Sequence, residues 1–238
     1  MLKPLTLALL ALLALPAASI ARADDLTLDY QSCSISAQTV GSIQKALAYV
    51  VANEPDDNGS LFKPRPSRMW SAVVDRTGRL CSIIRSDPDA WPGSRAIAIA
   101  KAASANDFSN NLLALSTANL YAPTQPGGSL YGLNNSNPFN PAFNSQTIQA
   151  VGQVVGGVIT FGGGVALYNG SGNVIGGLGV SGDSSCADHA IAFRMRQLSG
   201  FDNTPGSKGA DNIQYLAAGE PSDTGFKQPH CSANDITP

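Results

Sequence analysis

Gly156–Arg196 reads GGVITFGGGVALYNGSGNVIGGLGVSGDSSCADHAIAFRMR, and the order of the whole chain follows from it. Ile159–Phe161 and Val165–Tyr168 are short β-type runs on either side of Gly162-Gly163-Gly164. Asn169–Asn173 is a turn, and Val174–Val180 is a third β-type run. Glycines at so many strand edges imply bulges or a close backbone approach from a neighbour. Ser181–Ser185 then supplies caps for a helix over Ala187–Leu198.

Working toward the N-terminus, Met69–Ile84 holds two β-type runs around Asp75-Arg76-Thr77-Gly78, which predicts a hairpin. Arg95–Phe108 is an Ala-rich helix with Ser94 as N-cap, so small-sided that it must pack close to its neighbour. Ser34–Val51 places Val40, Ile43, Leu47 and Val50 at helical spacing, with Ser36 as N-cap. Asn110–Asn144 carries too much Pro, Gly and Asn for a regular core element, and Thr147–Val155 reads as a short helix or strand. A loop of that length covers a site, bridges subunits or forms a lid. Beyond Gly200 the chain is an irregular tail, expected to lie over the domain and to be fastened by Cys231.

The first 23 residues pair Lys3 with an apolar run and end in Ala21-Arg22-Ala23, the pattern of a secretory signal peptide. No other stretch approaches the roughly 20 apolar residues of a membrane span. The chain has 15 basic and 17 acidic residues, and cleavage before Asp24 removes two of the basic ones, so there is no basic footprint for nucleic acid. Periplasmic or secreted placement follows. Four cysteines, Cys33, Cys81, Cys186 and Cys231, imply two disulfides in such a compartment. Three pairings are open, and Cys33 with Cys81 and Cys186 with Cys231 is favoured, because Cys231 in the tail needs an anchor and Cys186 begins the last strong helix.

Two blocks resemble the GlcG/HbpS-like haem-binding family, also called haem-degrading or DUF336 proteins. They are Ala72–Ala105, with Val73-Val74-Asp75, Gly78, Ser94 and Lys101-Ala102, and the opening stretch, with Gly162–Leu167, Val174–Gly182 and Asp188. The resemblance implies an α+β, profilin-like, three-layer domain over residues 24–200, with a five-stranded antiparallel sheet flanked by helices. An insert of about residues 109–155 and the tail 201–238 depart from the family pattern. The resemblance also implies non-covalent haem binding and a homo-oligomer; a haem-degrading or organic-acid-handling enzyme and a structural interaction protein are the other readings.

Candidate ligand-binding residues are Arg95 and Lys101, whose cations suit a carboxylate; Gly162, Gly163 and Gly164, whose N–H groups suit an anion; and Asp188, which matches a family position. His189 is either an axial ligand to haem iron or a partly exposed helical residue beside a disulfide. Cys186 and His189 supply two donors where structural zinc takes four. The chain has no C-x-x-C-H for covalent haem, no phosphate loop and no nucleophile elbow, so no catalytic residue is assigned. Trp70, Trp91, Phe161 and Tyr168 are candidates for an apolar ligand wall, and Met69 and Met195 for core.

Overall fold

The structure, a computed structural model, describes residues 33–238 except 54–57, 63–66, 147, 148, 234 and 236. The signal-peptide segment therefore lies outside the described residues. The regular elements are α1 (Ala37–Asn53), β1 (Trp70–Asp75), β2 (Leu80–Arg85), α2 (Pro92–Asp107), β3 (Gly164–Tyr168), β4 (Val174–Ser181) and α3 (Ser185–Ser199). The strands form one antiparallel sheet in the order β2-β1-β4-β3.

Side-chain alternation along β1 sorts the domain into layers. Trp70, Ala72 and Val74 pack with Ile99, Ala102 and Ala103 of α2 on one face. Val73 points the other way, where Ile43, Leu47 and Val50 of α1 meet Ile191 and Met195 of α3 over Val165, Leu178 and Val180. Three layers result, with Met69 and Met195 both in the core.

The helix starts follow local chemistry. Ser36 Oγ accepts from Thr39 N at 3.1 Å ahead of α1, and Ser184 Oγ accepts from Ala187 N at 3.3 Å ahead of α3. In α2 the expected cap is corrected: Trp91 is the N-cap, Pro92 opens the helix, and Ser94 lies inside its first turn. Proline's fixed φ and missing N–H suit that first position. In the β1–β2 turn, Asp75 Oδ1 accepts from Thr77 N and Arg79 N at 2.9 and 3.1 Å, while Gly78 takes φ +78°.

The fifth strand is a second correction, since the sheet has four among the described residues. Ile159–Phe161, the remaining β-type run, joins no strand. Ile159 N donates to Ser104 Oγ on α2 at 2.8 Å, and Val158 N to the Asn137 carbonyl at 2.9 Å, so these N–H groups serve the helix and the insert instead of a sheet edge. Thr147 and Ile148 are outside the described residues; in the rest of 149–155 only a single bridge, Val154 to Arg79, takes the place of the expected element.

Helix α2 meets β4 backbone to backbone. A Cβ on Gly177 would overlap the Ala102 carbonyl oxygen, and one on Gly179 the Ala98 carbonyl oxygen. Two glycines thus let helix backbone rest directly on strand backbone. Gly179→Ala is expected to destabilise the domain by about 3 kcal/mol or more, at the upper end for overpacking because the obstructing atoms are backbone. Urea unfolding measures it, and a loss below about 1 kcal/mol would contradict this packing.

Candidate functional site

The tight packing of α2 carries Lys101 into the interior. Its Nζ, fully buried, lies 2.6 Å from Asp188 Oδ2 on α3 and donates to the Val180 carbonyl at 3.1 Å. Asp188 Oδ1 accepts from Asp183 N at 2.9 Å. Lys101 is therefore neither on a solvated helix face nor free for a ligand carboxylate; the protein's own Asp188 holds it, with the Phe161 ring 5.0 Å away. Burial pushes the Lys101 ammonium down, and the Asp188 charge opposes that push. Burial likewise raises the Asp188 carboxyl to about 6, against the pull of Lys101.

Gly162–Gly164 cross directly over this pair. A Cβ at Gly163, whose φ is +124°, would stand 2.5 Å from the Val180 carbonyl oxygen and 2.6 Å from Lys101 Nζ. The glycines are required by close approach, and two of their N–H groups are already bound. Gly162 N donates to Gln228 Oε1 of the tail at 2.7 Å, and Gly164 N to Thr117 Oγ1 of the insert at 2.8 Å. An open backbone nest for an anion, the sequence expectation, is therefore replaced by a filled one.

His189 is one residue further along α3 than Asp188 and is fully buried, which corrects its expected partial exposure. Its Nε2 is 3.1 Å from Asn212 Oδ1, and Ile213 N, 2.8 Å from that same oxygen, approaches Nε2 at 3.1 Å. With the proton on Nε2 the ring donates to Asn212 Oδ1, and with Nε2 bare it accepts from Ile213 N, so these contacts fit either tautomer. In either tautomer Nδ1 is buried without a hydrogen-bond partner, and with the proton on Nε2 it carries a lone pair. Burial lowers the imidazole to about 4, against the opposing pull of Asp211 and Asn212, so the ring is neutral at pH 7. A neutral imidazole oriented through one nitrogen, with the other unpaired, has metal-ligand chemistry.

Arg95 does not join this group. Its guanidinium is buried under the insert, donates to the Phe143 carbonyl and lies 6.0 Å from the Trp70 ring. The four aromatic residues form no single wall either: Trp70 and Tyr168 sit in separate apolar clusters, while Trp91 and Phe161 are partly exposed. His230 stacks on Tyr215 with ring centroids 4.3 Å apart.

The insert and tail are structural parts of the site. Ser116–Asn119 and Ala122–Thr124 are buried, so the insert is far less loop-like than its composition suggests. From the tail, Asp211 makes a fully buried bidentate pair with Arg196 at 2.7 and 2.5 Å. Asn119 Nδ2 joins the two additions by donating to the Asn212 and Phe226 carbonyls at 3.3 and 3.4 Å. Sequence reasoning missed Thr117, Arg196, Asp211, Asn212 and Gln228. A basic residue in the last helical turn and an acid in the tail were the only signal, and neither type is rare. Both favoured disulfides are present, Cys33–Cys81 and Cys186–Cys231, with Cα separations of 5.3 and 6.1 Å.

The hairpin, α2, both later strands and most of α3 fall within residues 63–196, which match the family model described as "Haem degrading protein HbpS-like". The chain belongs to this family. Among solved structures, the Klebsiella pneumoniae protein ORFY is 24% identical, with 71% of this chain and 92% of that one covered and a TM-score of 0.51; the likeness is one of fold. The PduOC:haem complex is 26% identical over 69% and 94% of the two chains, with a TM-score of 0.49. A double mutant of Streptomyces reticuli HbpS is 20% identical over 79% and 95%, with a TM-score of 0.41. None of the curated proteins matches the chain.

Two measurements test the site's electrostatics. Lys101→Met leaves Asp188 buried without its cation and should cost about 3–5 kcal/mol in urea unfolding, with part recovered in the Lys101→Met/Asp188→Asn double variant. A Lys101→Met protein as stable as the parent would mean that the pair is not buried in solution.

For His189 the folded value, about 4, lies below the unfolded 6.5, so the unfolded chain binds more protons between them. The stability tied to a neutral His189 is present above pH 6.5 and is lost as pH falls toward 4, on the order of 3 kcal/mol. Asp188, raised to about 6, runs in the opposite direction over much of that window, so the parent's own profile conceals both. The stability difference between parent and His189→Gln should therefore shrink as pH drops from 7 to 4. A pH-independent difference would contradict the burial of a neutral ring.

Proposed function

We propose that this protein is an exported haem-binding protein that holds the group non-covalently. The family match over the sheet, α2 and α3 carries the reading. The signal-like N-terminus supports export, two disulfides suit an oxidising compartment, and the missing C-x-x-C-H motif argues for a non-covalent attachment.

His189 has the chemistry of an axial ligand through Nδ1. The arrangement around it does not fit a porphyrin as it stands, because His189, Lys101 and Asp188 are all buried and the insert and tail fill the space above Gly162–Gly164. Three clefts of about 360, 450 and 430 Å³ are lined by other residues. Binding at His189 requires part of this cover to move.

The description of the family as haem degrading favours one second reading, turnover.

Hemin titration of the purified protein, in oxidised and dithiol-reduced forms, tests the proposal. A saturable Soret shift at one hemin per chain that co-elutes on a size column is expected in at least one form, and His189→Ala should displace the band. No shift in either form would end the haem reading. Loss of the Soret band with added reductant, absent from heat-denatured protein, would replace binding with turnover.

A further inference from the structure

Beside the Asn119 bonds to the Asn212 and Phe226 carbonyls, two attachments of the tail differ in kind. The first is the buried Arg196–Asp211 pair, which fixes the chain just before Asn212 and Ile213. The second is the Cys186–Cys231 disulfide. Between them, Gln214 and Leu216 pair with Gln228 through Gln228 N to the Gln214 carbonyl at 2.8 Å and Leu216 N to the Gln228 carbonyl at 3.0 Å. Residues 217–226 of this segment are mostly exposed.

What the segment touches is specific. Gln228 Oε1 takes the Gly162 N–H at 2.7 Å, and Gln228 Nε2 donates to Ser185 Oγ at 2.9 Å. Cys231 Sγ takes the Cys186 N–H at 3.3 Å in the first turn of α3. Two backbone donors and a hydroxyl, converging beside Gly162, are thus satisfied by atoms of the tail. The Gly162 position abuts His189, since a Cβ there would come within 2.9 Å of His189 Cβ. His189 Nδ1, buried and without a hydrogen-bond partner, is an independent sign of an unused polar group beneath this edge.

The two sulfurs differ in access. Cys231 is an exposed residue, whereas Cys186 is fully buried as the second residue of the 15-residue helix α3. A thiolate at a helix N-terminus is stabilised and is a good leaving group. Attack at Cys231 Sγ expels the Cys186 sulfur into that favourable position.

We propose that Cys186–Cys231 is a reducible clasp holding residues 214–231 over the Gly162–Ser185 edge of the site, and that a dithiol reductant opens it. One thiolate of the dithiol bonds to Cys231 Sγ as the Sγ–Sγ bond breaks, and the Cys186 sulfur leaves as a thiolate. The second thiol then displaces Cys231 and closes the reductant's own disulfide. Two electrons and two protons pass from the dithiol to the two cysteines. Opening frees the Gly162 and Cys186 N–H groups and Ser185 Oγ, donors suited to the carboxylate of an incoming ligand. The Arg196–Asp211 anchor stays in place as the root of the segment, and Asn212 continues to orient His189. This ligand assignment rests on the haem reading, whose carboxylates are the propionates; the clasp itself does not.

Amide exchange read by mass spectrometry and hemin titration test it together. The forms compared are the oxidised protein, the dithiol-treated protein, and an oxidised Cys186→Ser/Cys231→Ser variant that keeps Cys33–Cys81. In the two opened forms, exchange over residues 214–231 should rise at least tenfold while α2 and β4 stay as protected as before. Hemin should bind at least tenfold more tightly than to the oxidised protein. Unchanged exchange in 214–231 would overturn the clasp, as would a rise shared by α2 and β4, which would make the disulfide a support of the whole fold. Equal hemin affinity in closed and opened forms would overturn the gate. Faster exchange in 214–231 with no hemin bound by any form would retain the clasp and remove the haem reading.

Discussion

The backbone-to-backbone approach of α2 and β4 is the constraint from which the site is built. Gly177 and Gly179 remove the side chains that would hold the helix away, and the alanines of α2 keep its own face low. Seated this deeply, Lys101 cannot reach solvent. An isolated ammonium in that position is untenable, so the fold requires an anion within a hydrogen-bond length, and Asp188 in the first turn of α3 supplies it. The pair ties α2, on one side of the sheet, to α3, on the other, across β4.

Once that pair is internal, the region above it changes character. A cation and a glycine loop that would make an open anion site become interior, covered directly by Thr117 from the insert and Gln228 from the tail. The two additions are also bonded to one another through Asn119, and the tail is rooted by Arg196–Asp211. The insert and the tail thus act as a cover whose polar atoms satisfy the donors beneath. His189 Nδ1 and Arg196 Nε are left without partners, and for His189 a neutral ring tolerates that omission far better than a charged one would.

Legibility varied with the range of the interactions. The hairpin at Asp75–Gly78, the helices α1 and α3 and the glycine-framed strands depend on neighbours a few residues away, so spacing and turn chemistry were enough. Ser94 is a good N-cap by type, but Pro92 two residues earlier has the stronger local preference and opens α2. Ile159–Phe161 has the composition of a strand, yet the Ile159 N–H goes to Ser104 Oγ and the preceding Val158 N–H to the insert carbonyl of Asn137. Lys101, Asp188 and His189 were recognised as chemically suggestive, but their burial was not, because Lys101 and Asp188 are 87 positions apart.

From the sequence alone came the order of the helices and the four strands, the family, the favoured disulfide pairing and a set of candidate ligand residues. All of these rest on local pattern or on motif. Tertiary structure alone decided that Lys101 and Asp188 satisfy each other, that Gly162 and Gly164 already have acceptors, and that His189 is neutral and enclosed. The physical reason is that burial and pairing are properties of surfaces brought together from distant parts of the chain. A residue type announces which bonds it can make, and only packing determines which partner arrives first.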